Sequence, residues 1–426
     1  MPGYSEPVWA EEHIRKSSGV PLESGETVDL AVVGAGILGL ATAFHAARNG
    51  LKVQVIDAGR IGDGASGLNG GQVIPGLKYD PEWLLQHFGR ERGEVLINFA
   101  SQTADAVFDL IRKEKLDVAY NRNGWIQACH TEAALKTASS RFAQWKALGA
   151  DVEMLDAQTI ERLIGTSNYH GGFLDRRAGV IQPLAYTMEL SRIAAAAGAR
   201  ITENMKCRKL EKRQDRWLLT MENGVEIGAR SVLVATNAYT GNLVPGLAQT
   251  LVPLHSFQIA TEPLPEHVAR DILPQGHAVS DSRRILVYYR RTPDRRLILG
   301  GRGPLSRPKH IDDWSHLERA MARLFPSLSD VEISRRWYGR VAMTPDHLPH
   351  LHEPEKGLLA FVGCQGRGVG LMTAMSRRLA DYILTGDQAA LPFPITPIKP
   401  ISFHFLRNIG VAATIGWYRM LDAIEQ

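Results

Sequence analysis

Cysteine is scarce in this chain. Three cysteines, Cys129, Cys207 and Cys364, are spread over 426 residues. They make neither a disulfide framework nor a metal-ligand pair, so a stapled secreted scaffold and a zinc site are excluded, and a reducing, cytoplasmic setting is expected. An excess of one charge is also lacking. The 49 Lys and Arg face 45 Asp and Glu, a formal net charge of +4. With no nucleic-acid-binding motif beside it, so small an excess gives no footprint for DNA or RNA. No window reaches the roughly 18 apolar residues of a spanning helix. The N-terminal stretch, which carries Glu11 and Glu12, lacks the apolar core of a signal peptide. What is there is ordinary globular material, 44% apolar and 22% charged, too long for one simple core and read as two domains.

The most informative stretch runs from Val28 to Asp57. Leu30 to Val33 is a short apolar run suited to a buried parallel strand. Gly34, Gly36 and Gly39 follow in G-x-G-x-x-G spacing. Ile37, Leu40, Ala41 and Phe44 recur at helical period, and Asn49-Gly50 ends that helix. Val53 to Ile56 forms a second strand that finishes on Asp57. In this context the first glycine makes a tight turn, the second lets backbone approach a pyrophosphate, and the third lets the helix pack on the strand. The helix start, including Ile37 and Leu38, presents N–H groups to phosphate. Asp57, with Ala58 beside it, can accept hydrogen bonds from an adenosine ribose. A dinucleotide is implied; FAD and NAD stay equally allowed by this motif.

Six glycines then fall within Ala58–Gln72. Such a loop has no apolar periodicity, and it reads as backbone that must approach a large ligand, with Ser66 and Asn69 offering side-chain hydrogen bonds. The run Gly64-Ala65-Ser66-Gly67-Leu68-Asn69-Gly70-Gly71-Gln72 resembles the D-amino acid oxidase superfamily of FAD-dependent oxidoreductases, and within it the bacterial γ-glutamylputrescine oxidase and L-pipecolate oxidase-like branch. The resemblance implies that Ser66, Asn69, Gly70, Gly71 and Gln72 run beside a flavin. It also implies that backbone near Cys207 and Arg208 touches adenine, and that Ala235, Thr236 and Asn237 return the chain to the cofactor. Trp-x-Gly-Arg-x-x-x-Thr-Pro-Asp-x-x-Pro, from Trp337 to Pro349, is similar to the family's strand leading back to the flavin. No cysteine stands between Val331 and Leu351, so non-covalent FAD is expected.

The expected fold is α/β in an α+β two-domain sense: a Rossmann-like FAD-binding domain with a mostly antiparallel β-sheet substrate domain. The expected division is an arm over 1–27 anchored by Trp9, a discontinuous FAD-binding domain over 28–80, 184–250 and 332–390, and a substrate or cap domain over 81–183 and 251–331. A Pro-rich linker and C-terminal helix occupy 391–426. Leu84, Leu85, Phe88, Val95, Leu96 and Phe99 make an apolar helical stripe. Gly171–Pro183 reads as a loop or hairpin. Residues 251–345 alternate in β fashion, and Trp314–Phe325 reads as a helix. Gly357–Val362 and the turn after it, with Gly366, Arg367, Gly368, Val369 and Gly370, form a second strand, glycine turn and helix start. Such a helix end can stabilise negative charge on a flavin.

The resemblance implies oxidation of an amine or amino-acid C–N bond by hydride transfer to flavin N5, giving an imine, with oxygen or a quinone as acceptor. A cofactor that carries the hard step explains the lack of any Ser-His-Asp or paired-carboxylate pattern. A D-amino acid dehydrogenase is the alternative, and a non-catalytic dinucleotide-binding module a third. A substrate carboxylate calls for an arginine fork, for which Arg302 and Arg340 are candidates. Tyr289 and His255 are candidate hydrogen-bond donors on pocket strands. Residues 403–424 carry Phe403, Phe405, Leu406, Ile409, Trp417 and Tyr418. The preferred reading is a helix packed on the body or on a second subunit. The sharper one is peripheral contact with the inner face of the cell membrane, with Arg407 and Arg419 at the headgroups.

Overall fold

The computed structural model describes residues 5–12, 20–303 and 306–424, with side chains described as far as residue 417. Two eight-stranded sheets and a small three-stranded sheet organise it. The first sheet is built on parallel pairing. Thr27–Val33 lies between Val53–Ile56 and Glu226–Val234, and Arg200–Thr202 and Leu358–Val362 extend the two sides. These strands carry Val, Ile, Leu and Ala almost without interruption because helices cover the sheet. The helices Ile37–Arg48 and Gly368–Thr385 pack on one another against it, and Pro183–Ala196 packs beside the first of them. The hairpin Cys207–Arg213 and Arg216–Met221 adds antiparallel pairs at one edge.

The second sheet runs Ile333–Met343, Val252–Thr261, Leu297–Arg302, Val287–Arg291, Ala278–Asp281, Trp125–Cys129, Gly171–Asp175 and Val152–Asp156. All its pairs are antiparallel except the one between Ala278–Asp281 and Trp125–Cys129. One face packs on the helix Ser315–Leu324 and on Ala157–Ile164 through a core that includes Phe257, Trp314 and Leu299. The other face turns toward the first sheet's strand ends.

Several expectations change here. Ile333–Met343, expected with the cofactor part, pairs along its length with Val252–Thr261 in the second sheet. Gly171–Asp175 and Gly179–Ile181 do not form a hairpin, because they enter different sheets. Val95 sits 43% exposed, off the buried stripe, beyond a kink at Gly89. The arm is anchored as the sequence suggests: Trp9 is buried and its Nε1 donates to the Asn69 carbonyl at 3.1 Å. In the C-terminal helix Arg407–Ile424 the side chains described, as far as Trp417, are exposed or half-buried. Phe403, Phe405, Ile409 and Trp417 are exposed, and a tether holds the segment through His404 Nε2 and the Leu251 carbonyl at 2.8 Å. Tyr418 and Arg419 lie outside the described side chains. Among the described residues, no helix is long and apolar enough to cross a membrane.

Candidate functional site

A cavity of about 1160 Å³ opens where the parallel strands end. This is the crevice beyond the carboxyl ends of the strands in which such sheets bind ligands. Its volume exceeds the roughly 300–1000 Å³ of a site for a drug-sized molecule. One wall is the fingerprint turn. A Cβ at Gly34, whose φ is +112°, would sit 3.1 Å from the Ala235 backbone, and one at Gly39 would lie 1.9 Å from the Gly34 carbonyl. Only bare backbone lets the helix start and the neighbouring strand end meet there. Asp57 ties this turn to the next loop. Its Oδ2 accepts from the Ala35 N–H at 2.7 Å and its Oδ1 from the Gly59 N–H at 2.9 Å. Burial raises the Asp57 carboxyl above the usual carboxylate range, and those two N–H bonds oppose the shift.

The Gly64–Gln72 loop closes over the turn. Ser66 Oγ accepts from the Ile37 N–H at 3.0 Å, so it touches the first residue of the fingerprint helix. Asn69 is used differently from expectation: its Oδ1 accepts from Gly71 N at 2.8 Å and its Nδ2 donates to the Ser66 carbonyl at 2.8 Å. Its side chain braces the loop. Gln72 likewise reaches the second sheet, donating to the Val279 and Tyr289 carbonyls. On the opposite wall, Asn237 Oδ1 accepts from Gly363 N at 3.0 Å and so couples the two later turns. Arg367 caps the helix Gly368–Thr385. Its Nη1 donates to the Pro75 carbonyl at 2.5 Å and its guanidinium lies 5.9 Å from the Trp125 ring centroid. Burial, and then the nearby Arg141 charge, bring its pKa down to about 10.

Most predicted cofactor residues meet in this one cavity. Gly34, Gly36, Ile37, Leu38, Asp57, Ala58, Ser66, Asn69, Gly70, Gln72, Cys207, Arg208, Ala235, Thr236, Asn237, Gly366, Arg367, Gly368 and Val369 all line it. Gly39, Gly71 and Gly370 stand behind the wall. Gly71 packs against the Ile181 carbonyl and Gly370 against Thr103. Burial pushes the Cys207 thiol up to about 11.

The catalytic candidates fare worse. Tyr289 is fully buried in the core of the second sheet, where its hydroxyl donates to the Tyr169 hydroxyl at 3.1 Å. Burial holds its phenol well above the ordinary tyrosine range. Its neighbour Tyr288 faces the cavity instead, 2.9 Å from Ser256 Oγ, and burial carries its phenol up to about 12. His255 errs in the same way. It packs edge-on to Tyr338 while Ser256 and Gln258 line the cavity. Successive side chains on a strand face opposite ways, so a reading one residue out selects the wrong face. Arg302 ends its strand opposite Ser256 but does not line the cavity. Arg340 does line it, with its guanidinium 5.2 Å over the Tyr239 ring.

The model of the family described as "DAO: FAD dependent oxidoreductase" matches residues 29–382. The chain belongs to this family. It is 33% identical to a probable oxidoreductase OrdL of Rhizobium meliloti, over 99% of this chain and 98% of that one. It is 31% identical to the gamma-glutamylputrescine oxidoreductase of Escherichia coli, over 86% and 85% of the two chains. Among solved structures, the glycine oxidase of Geobacillus kaustophilus superposes with a TM-score of 0.73 at 20% identity, covering 87% of this chain and 99% of that one. The family's dependence on FAD agrees with the cavity. A Cβ at Gly36 would sit 2.8 Å from Ser66 Oγ, so backbone alone lines the phosphate turn there. Gln258 Oε1 is buried on the cavity wall with no hydrogen-bond partner, an acceptor open to a donor from a bound group.

Sequence reasoning missed Lys78, Trp125, Gln127, Arg141, Ser256, Gln258 and Tyr288, all of which line the cavity. Correct parity along two strands finds Ser256, Gln258 and Tyr288. Arg141 comes from the helix Glu132–Ala147, and nothing in its local sequence marks it.

Proposed function

We propose that this chain is an FAD-dependent amine or amino-acid oxidoreductase that oxidises a C–N bond to an imine. The observation that carries the reading is one cavity bordered by both glycine turns, the Gly64–Gln72 loop and the second sheet. In this reading the turn Gly34–Gly36 and the N–H groups of Ile37 and Leu38 hold the pyrophosphate. Asp57 meets the adenosine ribose, and backbone at Cys207 and Arg208 meets the adenine. Gly70, Gln258, Tyr288 and the helix start at Gly368 surround the ring system. FAD is held without a covalent bond. Bound there, FAD would supply the hydride acceptor that oxidation of an amine C–N bond to an imine requires.

The protein's own share is position and charge. The N-terminus of Gly368–Thr385 offers its positive end to electron density arriving at the ring. Tyr288, with its raised pKa, stays protonated and donates hydrogen bonds. Lys78, Arg141 and Arg367 make an ammonium unfavourable in the cavity, which selects the neutral amine as the reacting form. Anaerobic mixing of the holoprotein with pipecolate, γ-glutamylputrescine, proline, sarcosine and D-alanine tests the reading. At least one should bleach the flavin; bleaching by none would refute it. Bleaching by D-alanine alone would favour a D-amino acid dehydrogenase.

The C-terminal segment supports a separate reading, peripheral contact with a membrane surface and delivery of electrons to a quinone. Phe403 and Phe405 are 73% and 74% exposed. No acidic residue occurs between Asp387 and Asp422, while Lys399 and Arg407 do. Aromatic side chains beside basic ones suit an anionic interface.

A further inference from the structure

We propose that the carboxamide oxygen of Gln258 accepts the N–H of the reacting amine, so that primary and secondary amines are oxidised and tertiary amines are refused. The inference rests on the oxidoreductase reading above and narrows its substrate class.

Gln258 lines the cavity and is 1% exposed. Its Nε2 donates to the Leu68 carbonyl at 2.6 Å. Turned over, the amide would set two oxygens at that distance, so hydrogen bonding fixes its orientation. Oε1 is left as the other end, and it has no hydrogen-bond partner among the described residues. It lies 3.4 Å from where a Cβ of Gly70 would stand, so the bare glycine keeps that side uncovered. Neighbouring side-chain acceptors on the cavity wall are in use. The Ser256 and Tyr288 hydroxyls pair with one another at 2.9 Å. Gln127 Oε1 takes Arg141, and Gln72 Oε1 takes Ser280 Oγ. The two Asp281 oxygens take the Val287 N–H and Arg283. Gln365 Oε1 is a second spare acceptor, but it belongs to the turn Gly363–Gly370, on the wall read above as the cofactor's. Gln258 stands on the second sheet, across from it.

A buried acceptor left without a donor is costly, so a site that keeps one is built to receive a donor. The reacting nitrogen is such a donor. Oxidation breaks a C–H bond. The hydrogen leaves with both electrons as hydride, for which FAD is the acceptor, and the nitrogen lone pair becomes the second C–N bond. The N–H stays on a nitrogen that has turned positive. Its hydrogen bond to Oε1 therefore strengthens as the reaction proceeds, a gain made in the transition state more than in the bound substrate. The same bond fixes rotation at nitrogen and holds the lone pair in line with the breaking C–H bond. A carboxamide suits this task better than a carboxylate, which would favour the ammonium form and withhold the lone pair. A tertiary amine has no N–H and would press a methyl group on the unpaired oxygen.

The test uses the holoprotein and matched pairs of amines, following anaerobic bleaching of the flavin. Each amine named above is compared with the derivative whose reacting nitrogen is methylated until no N–H remains: N-methylpipecolate for pipecolate, N,N-dimethylglycine for sarcosine. The parent of a reacting pair should bleach the flavin at least about tenfold faster, the loss of one charge-assisted hydrogen bond. Gln258→Met removes the acceptor, keeps the side chain's length and leaves the Leu68 carbonyl bonded to Trp337 Nε1 at 3.0 Å. It should lower kcat/KM for the parent about ten- to a hundredfold. It should leave the methylated partner's reaction, or its inhibition where it does not react, within about twofold, which a merely structural loss would not do. Flavin content should stay at the wild-type level. Equal bleaching by both members of a reacting pair, or an equal fall for both in Gln258→Met, would overturn the assignment while leaving an amine oxidoreductase standing. Loss of flavin from Gln258→Met would overturn it too, by giving the acceptor to the cofactor. Bleaching by none of the parent amines would sink both readings.

Discussion

Replacing Asp57 by Asn changes one atom and tests how the far half of the cofactor is held. In the native protein the two carboxylate oxygens accept from Ala35 N–H at 2.7 Å and Gly59 N–H at 2.9 Å. An asparagine keeps one acceptor and turns an NH₂ toward the other N–H. One hydrogen bond to a charged group is lost, worth about 1.5–3 kcal/mol, and a partly buried N–H faces a donor. The cost falls on the two loops that frame the adenosine end, so we expect FAD to bind about ten- to a hundredfold more weakly. Burial already disfavours the Asp57 charge, since its pKa is raised. The lost bond also lowers the apoprotein's stability, but in a chain this long about 1.5–3 kcal/mol moves the melting temperature by only a few degrees. Equilibrium dialysis of apoprotein with FAD, beside thermal melts of the same samples, reads both quantities. FAD affinity within twofold of wild type would refute the reasoning, as would an apoprotein that no longer folds.

Three further outcomes follow from the same structure. Tyr289→Phe removes a core hydrogen bond to Tyr169 and should cost about 1 kcal/mol in a denaturation curve; a tenfold fall in kcat would return Tyr289 to the active site. His45 is lowered from 6.5 to about 4, mainly by burial and then by Arg377. Because the folded form resists the proton, its contribution is present above pH 6.5 and is lost as pH falls toward about 4, by about 3 kcal/mol at most. His45→Gln should flatten that part of the stability profile, and an unchanged profile would count against the assignment. Truncation after residue 402 should leave flavin content unaltered and abolish sedimentation with vesicles rich in anionic lipid; equal sedimentation of both forms would remove the membrane reading.

What was legible in the sequence was local. The fingerprint from Leu30 to Asp57 is a contiguous strand, turn, helix and strand, and each glycine has a nearby steric reason, so it folds as it reads. The turn at Gly363–Gly370 was found for the same cause. The strand residues failed by one position. Tyr288 and Tyr289 are equally plausible letters, and only the register with Leu299 and Gly300 decides which ring meets the cavity. The cation cluster failed for a different reason. Lys78, Arg141 and Arg367 come from a loop, a helix and a glycine turn far apart in the chain, and only the packing brings them together. The C-terminal helix reads as one packed on the body or on a second subunit, and its apolar content alone does not show that Phe403, Phe405, Ile409 and Trp417 stand exposed.

The central claim is that this cavity holds FAD without a covalent bond. Acid precipitation of the purified protein, followed by chromatography of the supernatant, measures it directly. We expect FAD in the supernatant at about one per chain, the stoichiometry of a single cofactor site. A colourless protein would contradict the account, and so would flavin retained in the pellet, where Cys364 on the cavity wall would become the residue to inspect.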